Sequence, residues 1–432
     1  MIAEHGIRRL LGSAEMARAY AVTVLAAVFS SYAIARMSSQ VTLATIIGLL
    51  CVVGAAILWV RREELSLLRL APTSLLIFLT WALVSLVWTT DKGDTVAGWL
   101  ALVGYGFLAI AVGHLRDTLQ TVRALGDTLR ALLVVSLVLE ILSGILFDIP
   151  FRFLGIQGNL AVGGPVQGMF GSRNMLGFVV VIALITFVIE WRSQSVSARL
   201  AIPSISLAAL LAVLSSSPTV IVLAVCVGVT AVALTIVRHT PAERRGLVQG
   251  VLAALVTMAL IAAFSLRHAI IRLLDAGSDF SMRGSLWNMI LDYTPLHPVQ
   301  GWGWFGAWRP AEYPFWNINF KLDEHHASAL NAYFDVLLQL GAAGLVLFLL
   351  LGGVAIVRSW LVASARRSIV YAWTPLMLVA LAVESMFESF TIVGAGWFML
   401  VLCALRAGQS RSWRENIDAA NTGVIPTLHA ER

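Results

Sequence analysis

The sequence predicts an all-α, polytopic transmembrane bundle of about twelve spans, with one long extracytoplasmic loop between spans nine and ten. The chain is 59% hydrophobic and 12% charged, and its mean hydropathy is +0.85. In an ordinary soluble domain, charged residues make up about a quarter of the chain. Many windows reach the roughly 20 apolar residues that cross a bilayer, and charged residues fall almost entirely between them. The bilayer is therefore predicted to be the solvent of this chain.

Short polar segments delimit the apolar windows. In order, these are Tyr20–Ala35, Thr42–Val60, Pro72–Thr89, Val96–Gly113, Ala131–Phe147, Asn174–Glu190, Ala201–Leu214, Thr219–Val237, Leu247–Ser265, Leu330–Val357, Tyr371–Met386 and Thr391–Leu405. Positive residues precede the first window, which ends in Ala33-Ile34-Ala35, so a cleaved signal peptide is an alternative interpretation of that window. The topology of the later spans is the same in either case.

Alternate loops differ in positive charge. About 21 of the 30 Lys and Arg residues lie in the loops of one side and in the C-terminal tail, which the positive-inside rule makes cytoplasmic. Both termini are then predicted to be cytoplasmic. The long segment Arg267–Ala329 and the shorter Asp148–Arg173 are predicted to lie outside.

This topology divides the chain into four parts. Residues 1–265 are predicted to hold spans one to nine, 266–329 the outer loop with its short helices and the active site, 330–406 the last three spans, and 407–432 a cytoplasmic tail. The two similar halves of many secondary transporters are not evident, because the one large loop lies asymmetrically.

Composition also argues against several classes of site. Cys51, Cys226 and Cys403 each lie in a different apolar window without CxxC spacing, so we predict packing residues and no metal site or disulfide. The net charge of +6 comes from arginines spread beside apolar segments, a pattern typical of contact with anionic membrane lipids. Nucleic acid is not an expected partner.

The outer loop opens with a predicted short helix over residues 279–290, with Asp279 or Ser281 as N-cap, which ends at Thr294-Pro295. Arg283 and Trp287 are four residues apart and share one face of this helix. An interfacial amphipathic helix with a snorkelling arginine and an anchoring tryptophan is the alternative interpretation.

A turn rich in Pro and Gly follows over residues 295–306, where glycines let the backbone approach a ligand closely. Trp302 and Trp304 offer flat faces that can stack on a sugar or line a lipid tail. A belt of aromatic residues at the headgroup level is the alternative.

The loop ends in Asp323-Glu324-His325-His326. Two adjacent histidines beside two carboxylates can poise one of them as a base or a cation. If the next helix begins near Ser328, Asn331 and Asp335 lie four residues apart near its outer end. A solvated surface histidine is the alternative.

Further polar residues mark the predicted outer rim. Arg173-Asn174 opens the sixth span, and Glu384 and Glu388 are four residues apart at the outer end of the eleventh. Charges held at depth are costly and usually face a cavity or a partner. A salt bridge that only holds helices together is the alternative.

With these residues assembled, the chain resembles the O-antigen ligase and Wzy-type polymerase superfamily, especially its exopolysaccharide-polymerase-like branch. Three places carry the resemblance. They are Gly171-Ser172-Arg173-Asn174-Met175-Leu176-Gly177, Ser281-Met282-Arg283-Gly284-Ser285-Leu286-Trp287 with the Gly-Trp-Gly turn after it, and Asn331 followed by Gly341-x-x-Gly344.

The resemblance implies a membrane-embedded glycosyltransferase of the cytoplasmic (inner) membrane. It takes glycan from a polyprenyl-pyrophosphate carrier on the outer face and passes it to a glycan or lipid acceptor, with no metal, cofactor or nucleotide sugar. In this family arginines are thought to hold the pyrophosphate and a loop histidine to assist transfer. Arg283 matches the loop arginine and Arg173 the basic residue of the Lys/Arg-Asn motif. The predicted catalytic residues are Arg283 and His326, with His325 or Glu324 as second choices for the proton. The predicted substrate-binding residues are Arg173, Asn174, Trp287, Trp302, Trp304, Asn331, Glu384 and Glu388.

Two positions depart from the family pattern. Leu330 stands where a histidine usually precedes the residue matching Asn331, and Pro218 follows the serines where a basic residue is frequent. His326 would share a face with Leu330 if the helix began one turn earlier. A flippase for lipid-linked glycan and a non-catalytic membrane subunit are the rival functions.

Overall fold

The computed structural model describes residues 10–64, 70–266 and 277–422, and fifteen α-helices make up most of this part of the chain. In chain order they are α1 (Ala14–Phe29), α2 (Ser31–Met37), α3 (Gln40–Val60), α4 (Thr73–Val84), α5 (Lys92–Leu115), α6 (Thr118–Ile141), α7 (Arg173–Arg192), α8 (Ala198–Leu214), α9 (Pro218–His239), α10 (Ala242–Ser265), α11 (Gly277–Tyr293), α12 (Phe315–Leu322), α13 (Ala332–Ala365), α14 (Trp373–Glu384) and α15 (Gly394–Thr422). In the described residues, β-structure is limited to an isolated antiparallel bridge between Phe151 and Ile156. The all-α prediction is confirmed.

The number of membrane spans differs from the prediction. Within the described residues, six helices are long and apolar enough to cross a membrane, namely α3, α5, α6 with its extension to Leu146, α7, α9 and α13. Helices α1 and α2 would make a seventh, but they are bent by 66°. Each predicted window overlaps a helix, yet several of these helices are short or broken. The count of about twelve is therefore not confirmed.

Helix α7 forms the centre of the bundle. It is the most buried candidate span, with 72% of its apolar window buried, and it packs against α6, α8, α9 and α14. Bilayer lipid is as apolar as leucine, so helices of this kind associate through close packing and buried polar contacts. The first residues of α7 are thereby held against the ends of several neighbours.

Helix α13 is broken at Gly341, and the predicted Pro-Gly turn docks at this break. Gly341 has φ +66°, so the backbone groups around it lack their helical partners. Segment 298–303 supplies them. Trp302 N–H and Gly303 N–H donate to the carbonyls of Leu338 and Gln339 at 3.1 and 2.8 Å, and the Pro298 and Val299 carbonyls accept from Ala342 and Ala343 at 2.9 and 3.2 Å. Backbone that leaves the helix here is satisfied within the protein, as burial requires.

The outer loop has an apolar core of its own, distinct from the core of the bundle. Most of its members come from α11, α12 and the turn between them, and include Leu286, Ile290, Phe305, Phe315 and Ile318, while Leu338 of α13 closes it from the side of the bundle. The predicted helix corresponds to α11, but α11 is described from Gly277, so Asp279 and Ser281 lie within it and neither is the N-cap. The described part of the loop is thus a folded unit on the bundle.

Candidate functional site

Arg283 joins three separate segments. Helix α11 presents its guanidinium, whose Nη1 donates to the Leu330 carbonyl at 3.1 Å and also to the Phe387 carbonyl. Its Nη2 lies 3.0 Å from Glu388 Oε1. Arg283 therefore links the loop to the approach of α13 and to the turn after α14.

Glu388 extends this contact to two further helices. Its Oε1 also accepts from Asn174 Nδ2 at 2.7 Å, and Asn174 Oδ1 accepts from Ser217 Oγ at 2.8 Å. Asn174 lies in the first turn of α7 and Ser217 is the N-cap of α9. We call Arg283, Glu388, Asn174 and Ser217 the arginine-carboxylate cluster. Pro218 begins α9 beside it, so the departure from the family pattern falls at the edge of the cluster.

Glu384 adds a second carboxyl group beside the cluster. It is fully buried, and among the described residues neither of its carboxylate oxygens has a hydrogen-bond partner. Glu388 and Arg283 are the charges that act on it. The Arg283 guanidinium contacts Glu388, and Glu384 lies four residues before Glu388. An incoming anion must compete with Glu388 for Arg283.

Arg173 is placed next to the cluster by the start of α7. Ser172 caps that helix, because its Oγ accepts from Met175 N–H at 3.0 Å. Arg173 is the first helical residue, half-buried, and directly precedes Asn174. The two motifs predicted from sequence, around Arg173 and around Arg283, therefore meet at one end of the bundle.

The two histidines differ in their surroundings. His326 Nε2 lies 2.7 Å from Glu324 Oε2, and the His326 side chain is 8% exposed. Its backbone is held at both ends by Asn319, which accepts from His326 N–H at 3.0 Å and donates to the His326 carbonyl at 3.1 Å. His325 is exposed. His326 and Glu324 are thus close enough for an ion pair, although the His326 Nε2 has no hydrogen-bond partner of good geometry in the described residues.

The predicted helix start near Ser328 is wrong. Helix α13 begins at Ala332 because the Asn331 side chain accepts from Tyr333 and Phe334 N–H at 3.0 and 3.2 Å and so caps it. Leu330 has φ +49°, outside the helical range. His326 consequently does not share a helical face with Leu330. Asn331 also donates to the Met386 carbonyl at 2.9 Å, so its side chain is engaged with protein on both sides.

The three aromatic residues predicted to bind substrate lie in different environments. Trp287 stacks on Phe334 at a centroid distance of 5.3 Å and donates to the Ala329 carbonyl at 3.0 Å. Trp304 is fully buried and meets Phe78 edge-on. Trp302 is half-buried and lies 5.0 Å from Tyr313. Of the three, Trp304 has no face open to a ligand.

Tyr313 belongs to the aromatic group around Trp302, together with Tyr293 and His297. Desolvation raises the pKa of its phenol, and neighbouring Tyr293 raises it further. Its hydroxyl therefore stays protonated at neutral pH and can donate a hydrogen bond.

Asp335 and Gln339 form a buried anchor that fixes the Trp302–Trp308 turn. The sequence places Asp335 near the outer end of its helix, but it does not single out Gln339. Asp335 Oδ1 accepts from Trp308 Nε1 at 2.6 Å and from Gln339 Nε2 at 3.0 Å. Gln339 Oε1 in turn accepts from Phe305 and Gly306 N–H at 2.8 and 3.0 Å. Asp335 and Gln339 are four residues apart within an apolar helix, a pattern that signals a buried polar contact.

No group of three or more His, Cys, Asp or Glu side chains is arranged to hold a metal ion in the part of the chain that the structure describes. Two sets of polar side chains stand out in the described residues, namely the arginine-carboxylate cluster and the His326–Glu324 pair. Their chemistry is that of anion binding and proton transfer.

Fold and site together define a multi-pass helical membrane protein whose loop helix brings an arginine to a buried polar cluster. Residues 203–349 match the Wzy_C family model, described as O-antigen ligase. The match runs from α8 into α13 and contains Arg283, His326 and Asn331, and it confirms the resemblance to the O-antigen ligase and Wzy-type superfamily. It supports a membrane role of the glycan ligase or polymerase kind. A search of curated proteins gave no match.

Proposed function

We propose that the protein is a membrane glycosyltransferase that transfers or polymerises glycan units from a polyprenyl-pyrophosphate-linked donor on the outer face of the cytoplasmic membrane. The observation that carries the proposal is Arg283, which lies in the family-matched segment and contacts Glu388, the residue that also holds Asn174. Two motifs far apart in sequence thus meet at Glu388, which contacts both Arg283 and Asn174.

The reaction joins an acceptor hydroxyl to the anomeric carbon of the donor sugar and breaks the bond from that carbon to the diphosphate. Arg283 and Arg173 bind the departing polyprenyl diphosphate, since guanidinium groups grip phosphate oxygens in pairs and stabilise developing negative charge best in a dry site. Asn174, Glu384 and Glu388 line this diphosphate site. Trp302 offers a partly open face to the sugar.

The proton of the attacking hydroxyl passes to His326. Its imidazole lies 2.7 Å from the Glu324 carboxylate, and a base oriented in this way by a third group is the usual arrangement for activating a hydroxyl nucleophile. Asn319 fixes the backbone on both sides of the same residue. His325 and Glu324 are the second choices.

Replacement of Arg283 tests the proposal. Purified protein in lipid is incubated with a polyprenyl-pyrophosphate oligosaccharide, and the products are separated by size. We expect Arg283→Ala to lower transfer by about 10²-fold or more, the usual cost of removing a donor to developing charge. Arg283→Lys keeps the charge but loses the paired geometry, so it should recover only part of the rate.

Arg309→Ala is the matched control. Arg309 lies in the same loop but pairs with Asp94 at 3.2 Å, and its side chain is 49% exposed, so its loss should leave transfer near wild type. Thermal melting of each variant separates loss of chemistry from loss of folding. Transfer retained in a folded Arg283→Ala protein would contradict the assignment.

The products also decide between the remaining functions. A ladder of lengths indicates a polymerase and a single product a ligase. A donor that stays unchanged in the wild-type assay favours a flippase or a non-catalytic subunit. Movement of the lipid-linked glycan across vesicle membranes distinguishes these two.

A further inference from the structure

Three successive amides ahead of α7 are bound by side chains of α6. Gln167 N–H and Gly168 N–H both donate to Glu140 Oε1, at 2.9 and 2.8 Å, and Met169 N–H donates to Ser136 Oγ at 3.4 Å. Ser136 and Glu140 are four residues apart and so lie on one face of α6. Both are buried, Glu140 with 1% exposure. A carboxylate thus fills a concave array of backbone N–H groups, which is an anion-binding arrangement.

The contact leaves little room for the segment to shift. Gly168 has φ +56°, and a Cβ there would lie 2.6 Å from Ser136 Cβ. Val166, Met169 and Phe170 on either side are buried. Non-helical backbone inside a membrane protein must find its hydrogen bonds within the protein. Glu140 meets this need for two amides at once, through charge-assisted bonds that are stronger than neutral ones.

This anchored segment leads directly to the candidate site. Two of the anchored amides lie in the 3₁₀ turn Gly168–Phe170, and Phe170 and the left-handed Gly171 are all that separates them from Ser172, the N-cap of α7. Arg173 and Asn174 follow at once. Because so few residues intervene, the position of the anchor fixes where α7 begins and where Asn174 meets Glu388.

We propose that Glu140 is a positioning residue for Arg173 and Asn174: its carboxylate holds the 167–169 amides so that these two side chains face the donor's diphosphate. This inference rests on the proposed function. Glu140 does not touch the substrate in this account and acts through the backbone.

The test compares Glu140→Leu, which removes the acceptor, with Glu140→Gln, which keeps an oxygen in the same place. We expect leucine to raise the KM for the polyprenyl-pyrophosphate donor by about tenfold with a smaller change in kcat, the signature of lost binding interactions. Glutamine should restore the KM to within about threefold of wild type. Ser143→Ala is the control. Ser143 lies three residues after Glu140, but its hydroxyl donates to the Ile149 carbonyl and not to the 167–169 segment. Its loss should leave the KM unchanged.

A double-mutant cycle with Asn174→Ala excludes a general loss of stability. If Glu140 acts through Asn174, adding Glu140→Leu to Asn174→Ala raises the KM by much less than it does alone. Independent, additive effects overturn the proposal. If the leucine variant does not fold, Gly168→Ala displaces the same segment from Ser136 and must give the same KM change and the same non-additivity.

A structural readout keeps the inference separate from the proposed function. If wild-type protein transfers no glycan, the proposed function fails, and hydrogen exchange by mass spectrometry then tests the anchor alone. Glu140→Leu must speed exchange of the 167–175 amides and leave those of 318–326 unchanged, while Glu140→Gln keeps the protection. Unchanged exchange at 167–175 in the leucine variant overturns the proposal.

Discussion

At the scale of single residues, the His326–Glu324 pair gives the sharpest prediction after Arg283. His326→Ala should lower the single-turnover transfer rate by about 10²- to 10⁴-fold, the usual contribution of a general base. Glu324→Gln should lower it less, because the imidazole remains but loses the carboxylate 2.7 Å away. His325→Ala is the neighbouring control, and His325 is exposed.

The comparison of these three variants has two informative outcomes. A loss confined to His326 and Glu324 supports the pair. A larger loss of transfer rate in His325→Ala than in His326→Ala would identify His325 as the proton acceptor and contradict the assignment of His326. Donor binding, measured separately, should change little in any of the three.

Some residue roles could be predicted from sequence and some could not. The spacing of Glu384 and Glu388 was enough to place them together, and the Glu388 N–H does donate to the Glu384 carbonyl at 2.9 Å. The sequence equally predicts that Asn331 binds substrate, yet its side chain caps α13. Whether Asn331 caps the helix or is free to bind substrate depends on whether residues 328–330 are helical. The sequence does not reveal that Leu330 is left-handed, because leucine rarely adopts φ > 0.

Burial of an aromatic residue is also set by tertiary contacts. Trp302 and Trp304 are two residues apart in one turn, and each follows a glycine. The turn inserts one of them against Phe78 and leaves the other half-buried near Tyr313. Local pattern carries no information about which of the two faces the bundle.

At the scale of elements, the break in α13 predicts that Gly341 cannot be replaced without loss of stability. Gly341→Ala should destabilise the protein by about 1 to 3 kcal/mol, since φ +66° strains any L side chain and its Cβ would overlap the Val299 carbonyl. Because segment 298–303 would be pushed off the break, transfer activity should fall as well. Thermal or denaturant unfolding in detergent measures the first effect.

Gly353→Ala is the control within the same helix. A Cβ at Gly353 has nothing within 4 Å, so this change should stabilise the helix by about 0.5 to 1 kcal/mol. Equal effects of the two substitutions would show that the break at Gly341 does not hold the loop.

Helix positions were predicted well because hydropathy marks them directly, whereas the breaks were not. The fifth predicted window is Ala131–Phe147, but α6 begins at Thr118, because Asp117 caps it there and polar residues such as Thr121 are buried. Likewise α4 ends at Val84, inside a window that runs to Thr89. Hydropathy shows where a segment can meet lipid, and it does not show where a helix stops because another segment supplies its hydrogen bonds.

At the scale of the whole molecule, the candidate site is built from pieces that only the folded bundle brings together. Arg283 comes from the loop, Asn174 from the start of α7, Ser217 from the start of α9 and Glu388 from the turn after α14. The family motifs pointed to Arg173 and Arg283 separately. Their connection through Glu388 required the structure, because no sequence spacing relates residues more than a hundred positions apart.

At the same scale, the charge asymmetry of the chain predicts on which side of the membrane each loop lies. Residues of the loop and of the 148–172 segment should lie outside, and the short link between α7 and α8 should lie in the cytoplasm. Single cysteines at His325→Cys and Val162→Cys, in a protein whose Cys51, Cys226 and Cys403 are replaced by Ala, report the first two places. Gln194→Cys reports the third. All three native positions are exposed.

A membrane-impermeant maleimide applied to intact cells, or to spheroplasts if an outer membrane blocks access, should label His325→Cys and Val162→Cys. It should label Gln194→Cys only after the cytoplasmic membrane is permeabilised. A lipid-linked donor that carries a hydrophilic glycan can reach the arginine-carboxylate cluster only from the side on which the loop lies, because sugars do not cross the hydrocarbon core unaided. Labelling of Gln194→Cys alone in intact cells would reverse the topology. It would also place the site on the cytoplasmic face, where the proposed reaction with an outward-facing donor could not occur.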